Sequence, residues 1–153
     1  MQITELVSTD RIACDVDAHS KKRALEYLSQ LISDGEDSLS TTDVFNSLIA
    51  RERLGGTGVG YGVAIPHGRL KNTDQTLGAF VRLRAGIDFD AADKQPVDLL
   101  FALLVPEEST EEHLQTLAQL AAMFSDDEFR KKLREADDAE AIHELLVGWQ
   151  TSH

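Results

Sequence analysis

Val97-Asp98-Leu99-Leu100-Phe101-Ala102-Leu103-Leu104-Val105-Pro106 is nearly continuous apolar sequence stopped by a proline. An apolar run without alternation is expected of a strand buried on both faces, as at the centre of an α/β sheet. Upstream, Leu77 to Leu83 alternates enough to read as a second strand. Helical patterns surround both. Ser20 can cap a helix running to about Ser33, in which Ala24, Leu25, Leu28, Leu31 and Ile32 recur at helical intervals, and Gly35 ends the connection. Thr42 opens a second helix with Phe45, Leu48 and Ile49 inward. Beyond Pro106, Ser109-Thr110-Glu111-Glu112 reads as a capping box for a helix that buries Leu114, Leu117, Ala118, Ala121 and Phe124, with His113 in its first turn. Ser125-Asp126-Asp127-Glu128 repeats the pattern before Phe129 and Leu133, and Asp137-Asp138-Ala139-Glu140 does so before Ile142, Leu145 and Leu146. Strands separated by helices imply an α/β layer fold, whose ligands favour loops at the carboxyl ends of strands.

Composition narrows the function. The chain has 153 residues, 42% of them hydrophobic, without an internal repeat or low-complexity tract, which suits a single globular domain over 1–153. A formal net charge of −12 argues against nucleic-acid binding, which draws its affinity from Lys and Arg on phosphates, and leaves a basic protein partner open. Cys14 is the one cysteine, so no intramolecular disulfide is possible, and a small buried apolar role in a reducing compartment is expected. No apolar run reaches the roughly 18 residues of a membrane helix, and the N-terminus lacks a basic n-region and a long h-region. A soluble, cytoplasmic protein without membrane insertion is expected.

Between the second helix and the alternating strand lies Arg51-Glu52-Arg53-Leu54-Gly55-Gly56-Thr57-Gly58-Val59-Gly60-Tyr61-Gly62-Val63-Ala64-Ile65-Pro66-His67-Gly68. Its glycines permit positive φ angles and close backbone approach, while the Val63-Ala64-Ile65 run distinguishes it from a flexible Gly/Ser linker. The segment places Arg51 at a helix end facing the loop and His67 at the end of a short strand. A histidine held in this way can be a general base, a metal ligand or a nucleophile towards phosphorus. The glycines fit neither G-x-G-x-x-G nor Walker A, which speaks against a nucleotide. The five histidines, His19, His67, His113, His143 and His153, show no zinc-ligand spacing, and no G-x-S-x-G elbow appears. An exposed loop histidine, a helix-end guanidinium and a histidine at a helix start together describe a phosphoryl-transfer site without nucleotide, metal or cofactor. Imidazole is nucleophilic near neutral pH, and guanidinium and helix N–H groups favour the oxygens of a phosphoryl group.

The segment from Arg51 to Gly68, then Gln95-Pro96-Val97-Asp98-Leu99-Leu100-Phe101-Ala102-Leu103-Leu104-Val105-Pro106, then His113-Leu114-Gln115-Thr116-Leu117, resembles the mannitol/fructose-type enzyme IIA domain of the bacterial phosphotransferase system. Within that family the likeness is to the stand-alone nitrogen-related enzyme IIA, and it extends from about residue 3 to residue 147. The resemblance implies a mixed, mostly parallel five-stranded sheet covered by helices on both faces. It also implies that His67 is phosphorylated by an HPr-like phosphocarrier (NPr), that Arg51 holds the phosphoryl group, and that His113 is the second histidine of the pocket. One departure is Gln115, where some relatives carry a further histidine, so a third-histidine contribution is not expected here.

The expected function is that of a histidine phosphocarrier whose phosphorylation state regulates target proteins. With no enzyme IIB or membrane-spanning IIC segment in its sequence, the chain is expected to move no sugar by itself. A neighbouring reading is a sugar-transport IIA that passes phosphate to a separate IIB. A reading of another class is a regulatory binding module without phosphoryl transfer, disfavoured by the presence of His67, Arg51 and His113 together. Metal-dependent hydrolysis is a third, and would require a co-purifying metal.

Overall fold

The computed structural model describes residues 2–71, 73–109 and 111–152. In chain order the elements are α1 (Ile3–Leu6), a 3-10 turn (Thr9–Arg11), β1 (Ile12–Val16), α2 (Lys21–Ser33), α3 (Thr41–Leu54), β2 (Gly58–Gly60) and β3 (Val63–Ala64). Next come β4 (His67–Leu70), β5 (Leu77–Ile87), β6 (Val97–Pro106), α4 (Glu111–Phe124), α5 (Asp127–Glu135) and α6 (Ala139–Ser152). β6 is the centre. It pairs antiparallel with β5 on one side and parallel with β3 and β4 on the other, β1 adds parallel to β5, and β2 adds antiparallel to β3.

The unbroken apolar run follows from burial on both faces of this strand. Leu99, Phe101, Leu103 and Val105 pack with α1, α4, α5 and α6, whereas Leu100, Ala102 and Leu104 pack beneath α2 and α3. Helices therefore cover both faces, as expected. The layer beneath α2 and α3 is mostly aliphatic; the layer with α1, α4, α5 and α6 carries an aromatic cluster in which Phe124 stacks on Phe80 and meets Phe101 and Phe129 edge-on. Cys14 is half-buried at the margin of this layer, not inside it.

Six strands are present among the described residues where five were expected, because one row is interrupted. β3 pairs Val63 with Leu99 and Ala64 with Leu100, and β4 resumes alongside the same strand with His67 opposite Leu103. Pro66 between them lacks an N–H to donate, yet its carbonyl still accepts from Leu103 N at 2.9 Å, so the row stays aligned across the break.

Ser20 caps α2 by accepting from Arg23 N, and that helix ends at Ser33 as read. For α3 the cap is Ser40, accepting from Asp43 N, so the helix starts before Thr42 and buries Val44 and Leu48, leaving Phe45 and Ile49 partly covered. Asp126, not Ser125, caps α5 through Phe129 N, while the Ser125 hydroxyl turns back to the Ala122 carbonyl. The capping box read before α4 includes Thr110, which lies outside the described residues, as does His153. α4 itself is rotated from the expected face. It buries His113, Thr116, Leu120, Met123 and Phe124, and leaves Leu114, Ala118 and Ala121 exposed. Burying Leu120 and Met123 removes more apolar area from water than burying two alanines, and that difference selects the face.

Candidate functional site

Gly60, Tyr61 and Gly62 adopt positive φ angles of 98°, 60° and 79° and turn the chain from β2 into β3. The glycine segment is thus a small hairpin and not an open loop. It delivers His67 to the first position of β4, so this histidine opens a strand where it was expected to end one. Because side chains alternate along a strand, His67 and Arg69 share one face of β4 and Gly68 takes the other. α3 lies against that second face so closely that a Cβ at Gly68 would collide with the Ser47 side chain, and Ser47 Oγ donates to the Arg69 carbonyl at 2.8 Å. Only glycine admits this approach. One helical turn after Ser47 comes Arg51, and α4 brings His113 in from the opposite side of the sheet.

These residues surround a cavity of about 670 Å³ whose polar wall is Arg51, His67, Arg69, His113 and Ser47. Leu54 and Leu114, 85% and 65% exposed, form an apolar rim. Among the described residues, no acidic one lines it. In a chain of net charge −12, this is a local cationic patch built for an anion.

His67 is half-buried and its Nδ1 lies 2.9 Å from the Ile65 carbonyl oxygen. A carbonyl only accepts, so Nδ1 carries the hydrogen and donates, which leaves the Nε2 lone pair available for attack. Burial pushes the His67 pKa below the ordinary histidine value; Arg51 and Arg69 add to this, while the Ile65 carbonyl and Glu52 oppose it. The imidazole is therefore neutral and nucleophilic at neutral pH. The exposure expected of it is only partial, because α3 and α4 flank it.

His113 is buried, with its ring centroid 5.4 Å from that of His67 and the planes inclined at 53°. Its Nδ1 has no hydrogen-bond partner among the described residues. Burial, reinforced by His67, Arg69 and Arg51, holds its pKa at about 4. A buried polar atom without a partner is costly, and an anionic oxygen in the cavity is a natural complement to such an imidazole. Arg51 sits in the last turn of α3 and donates from Nη1 to the Gly55 carbonyl at 2.7 Å. This bond aims one edge of the guanidinium and leaves the remaining donors to a ligand.

The structure brings the three expected residues, Arg51, His67 and His113, to one cavity. Of the others, His19 pairs with Asp17 at the surface and His143 lies in α6. Two contributors escaped the sequence reading. Arg69 was signalled by its two-residue spacing from His67 once that stretch is taken as a strand, and Glu52 by being an acid at a helix C-terminus, where the dipole disfavours it.

Residues 5–148 match the family described as the phosphoenolpyruvate-dependent sugar phosphotransferase system, EIIA 2. A relative named nitrogen regulatory protein, from Pseudomonas aeruginosa, is 43% identical over 150 residues, covering 98% of this chain and 97% of the relative. The crystal structure of nitrogen regulatory protein IIA-Ntr from Neisseria meningitidis superposes with a TM-score of 0.90 at 46% identity, covering 94% of this chain and 98% of that one. The IIA mannitol structure from Escherichia coli shares the fold with a TM-score of 0.76 at 21% identity, over 92% of this chain and 98% of the other.

Proposed function

The chain belongs to the EIIA 2 family of the phosphoenolpyruvate-dependent sugar phosphotransferase system, and on that basis we propose that it is a cytoplasmic histidine phosphocarrier that accepts phosphate on His67 from an HPr-like carrier (NPr) and regulates target proteins by its phosphorylation state. The observation that carries this reading is a neutral imidazole with a free Nε2, set beside two guanidiniums in a cavity without carboxylates. His67 Nε2 attacks the phosphorus of a phosphohistidine on the donor. A new N–P bond forms as the old one breaks, and the bonding pair returns to the donor imidazole. Nδ1–H stays on the Ile65 carbonyl throughout and orients the ring. Arg51 holds equatorial oxygens with the donors it does not give to Gly55, and Arg69 and the imidazole of His113 complete the anion's surroundings. Transfer of this kind depends on positioning and charge stabilisation, which these residues supply.

The names of the relatives support the regulatory half, and the apolar rim at Leu54 and Leu114 offers a docking surface around the reacting nitrogen. A phosphoryl group there adds nearly two negative charges to a cationic patch, which changes what the rim can bind without refolding the sheet. The test is incubation with phosphoenolpyruvate, enzyme I and an HPr-like carrier, followed by mass spectrometry. The wild-type chain should gain one acid-labile phosphate and His67→Ala none. A mutant that still gains one phosphate per chain refutes the assignment, and rapid discharge to a IIB with equal target binding by both forms points to sugar transfer instead.

A further inference from the structure

Glu52 is a carboxylate buried in the last turn of α3, where both the helix dipole and desolvation oppose it. Its partners offset that cost. Lys21 Nζ approaches Oε2 at 2.8 Å, Thr57 N donates to the same oxygen at 3.1 Å, and the Thr57 hydroxyl donates to Oε1. Lys21 is itself placed over the Phe89 ring, 4.9 Å from its centroid, and 3.3 Å from Asp90 Oδ2. The glycines between Arg51 and β2 lie tightly on this assembly: a Cβ at Gly58 would stand 2.9 Å from the Ala91 Cβ, and one at Gly56 would stand 3.3 Å from the Asp90 carbonyl. One carboxylate thus ties together the start of α2, the end of α3, the glycine segment and the β5–β6 connection.

Resting on the phosphocarrier reading, we propose that Glu52 is a positioning residue for phosphoryl transfer. It is adjacent to Arg51 and holds Thr57, and between them lies Gly55, whose carbonyl receives the Arg51 guanidinium. Fixing Thr57 fixes the carbonyl and so the direction of the remaining Arg51 donors towards the cavity. Lys21 neutralises Glu52 at its far side, which keeps a bare negative charge from opposing the incoming phosphate. The charged and titratable groups that act on His67 are Arg51 and Glu52 from α3, Arg69 from β4 and His113 from α4, and among them Glu52, which stands outside the cavity wall, is the one carboxylate.

Glu52→Gln keeps the shape and an acceptor for Thr57 but removes the charge that draws in Lys21. At saturating carrier its transfer rate should fall about tenfold, the scale of a slightly misaimed catalytic group, with KM for the carrier unchanged because Glu52 is not on the docking rim. In NMR titration His67 should protonate at lower pH than in the wild type. A carboxylate that serves only to staple the fold would lower the melting temperature and shift the titration through its lost charge but leave the rate unchanged, and that unchanged rate overturns the proposal. Should Glu52→Gln not fold, Thr57→Ala decides: it keeps the Lys21 pair and loses the hydroxyl, so it should slow transfer by a smaller factor, and a wild-type rate overturns the idea. Failure of the parent reading looks different, since the wild type itself would then accept no phosphate. In that event NMR of the Arg51 guanidinium decides. Resolved Nη signals in the wild type that merge in Glu52→Gln support the positioning role, and identical spectra sink it.

Discussion

β6 and β4 lie side by side, parallel and in register, yet they do opposite work. β6 is covered from Leu99 to Val105, with alternate residues entering two helix layers, and over that stretch it contains no polar side chain. β4 pairs with β6 alone among the described strands, and its other edge opens on the cavity with His67 and Arg69 facing one way. The contrast shows how a small domain can hold a polar side chain in a fixed place. Apolar burial immobilises the central strand, and the polar strand inherits that rigidity through its main-chain bonds while paying little burial cost of its own.

Substitutions in the two strands should separate cleanly, and the largest effect on stability belongs to β6. Phe101→Ala removes a ring that meets Phe124 edge-on and is expected to cost about 3–5 kcal/mol in denaturant unfolding. Any fraction that remains folded should still transfer phosphate at the normal rate. A normal stability would mean that the aromatic layer collapses around the gap. At the site the reverse is expected: Arg51→Lys should leave the unfolding midpoint in place and slow transfer by roughly ten- to a hundredfold, because an ammonium cannot reproduce the guanidinium fork. Quench-flow rates equal to wild type would reduce Arg51 to a structural cap.

Gly68→Ala is the substitution that blurs the contrast. Its methyl group collides with Ser47, so α3 must move away from β4, taking Arg51 with it. A loss of about 1–3 kcal/mol together with slower transfer is expected, and a change in one without the other would show that α3 and β4 are less tightly coupled than their contact suggests.

The smallest effect concerns pH. The His113 pKa is depressed from 6.5 to about 4 in the folded chain, chiefly by burial. Between those values the unfolded chain binds the proton first. The contribution of His113 to stability is therefore whole above pH 6.5 and is lost as pH falls towards about 4. Replacing His113 with Asn should flatten that part of the stability curve, measured as the urea midpoint against pH. An unchanged slope would assign the acid sensitivity to other groups.

Much of this was legible in the sequence where one physical requirement dominates. Val97 to Val105, bounded by Pro96 and Pro106, read as a strand covered on both sides, and Pro66-His67-Gly68 after a glycine-rich stretch marked the histidine of the candidate site. The misreadings fall where two solutions differ by little energy. Either face of α4 satisfies helical periodicity, and the larger side chains Leu120 and Met123 turned it so that His113 points inward and Leu114 stands at the rim. Ser125 and Asp126 are both good caps, and the tertiary path of the chain chose between them.

What the sequence by itself determined was the class of fold, the central strand and the family, and it pointed to Arg51, His67 and His113 as residues of one candidate site, because hydrophobic period, glycine and proline positions and functional-group chemistry are local properties of the chain. Only the tertiary structure decided that Nδ1 of His67 is bound by Ile65, that Arg69 shares the cavity, and that Glu52 anchors the glycine segment through Lys21. The first is a contact two residues apart whose geometry depends on the break between β3 and β4, and the others depend on how α2, α3 and α4 close over the sheet, which spacing along the chain signals only in part.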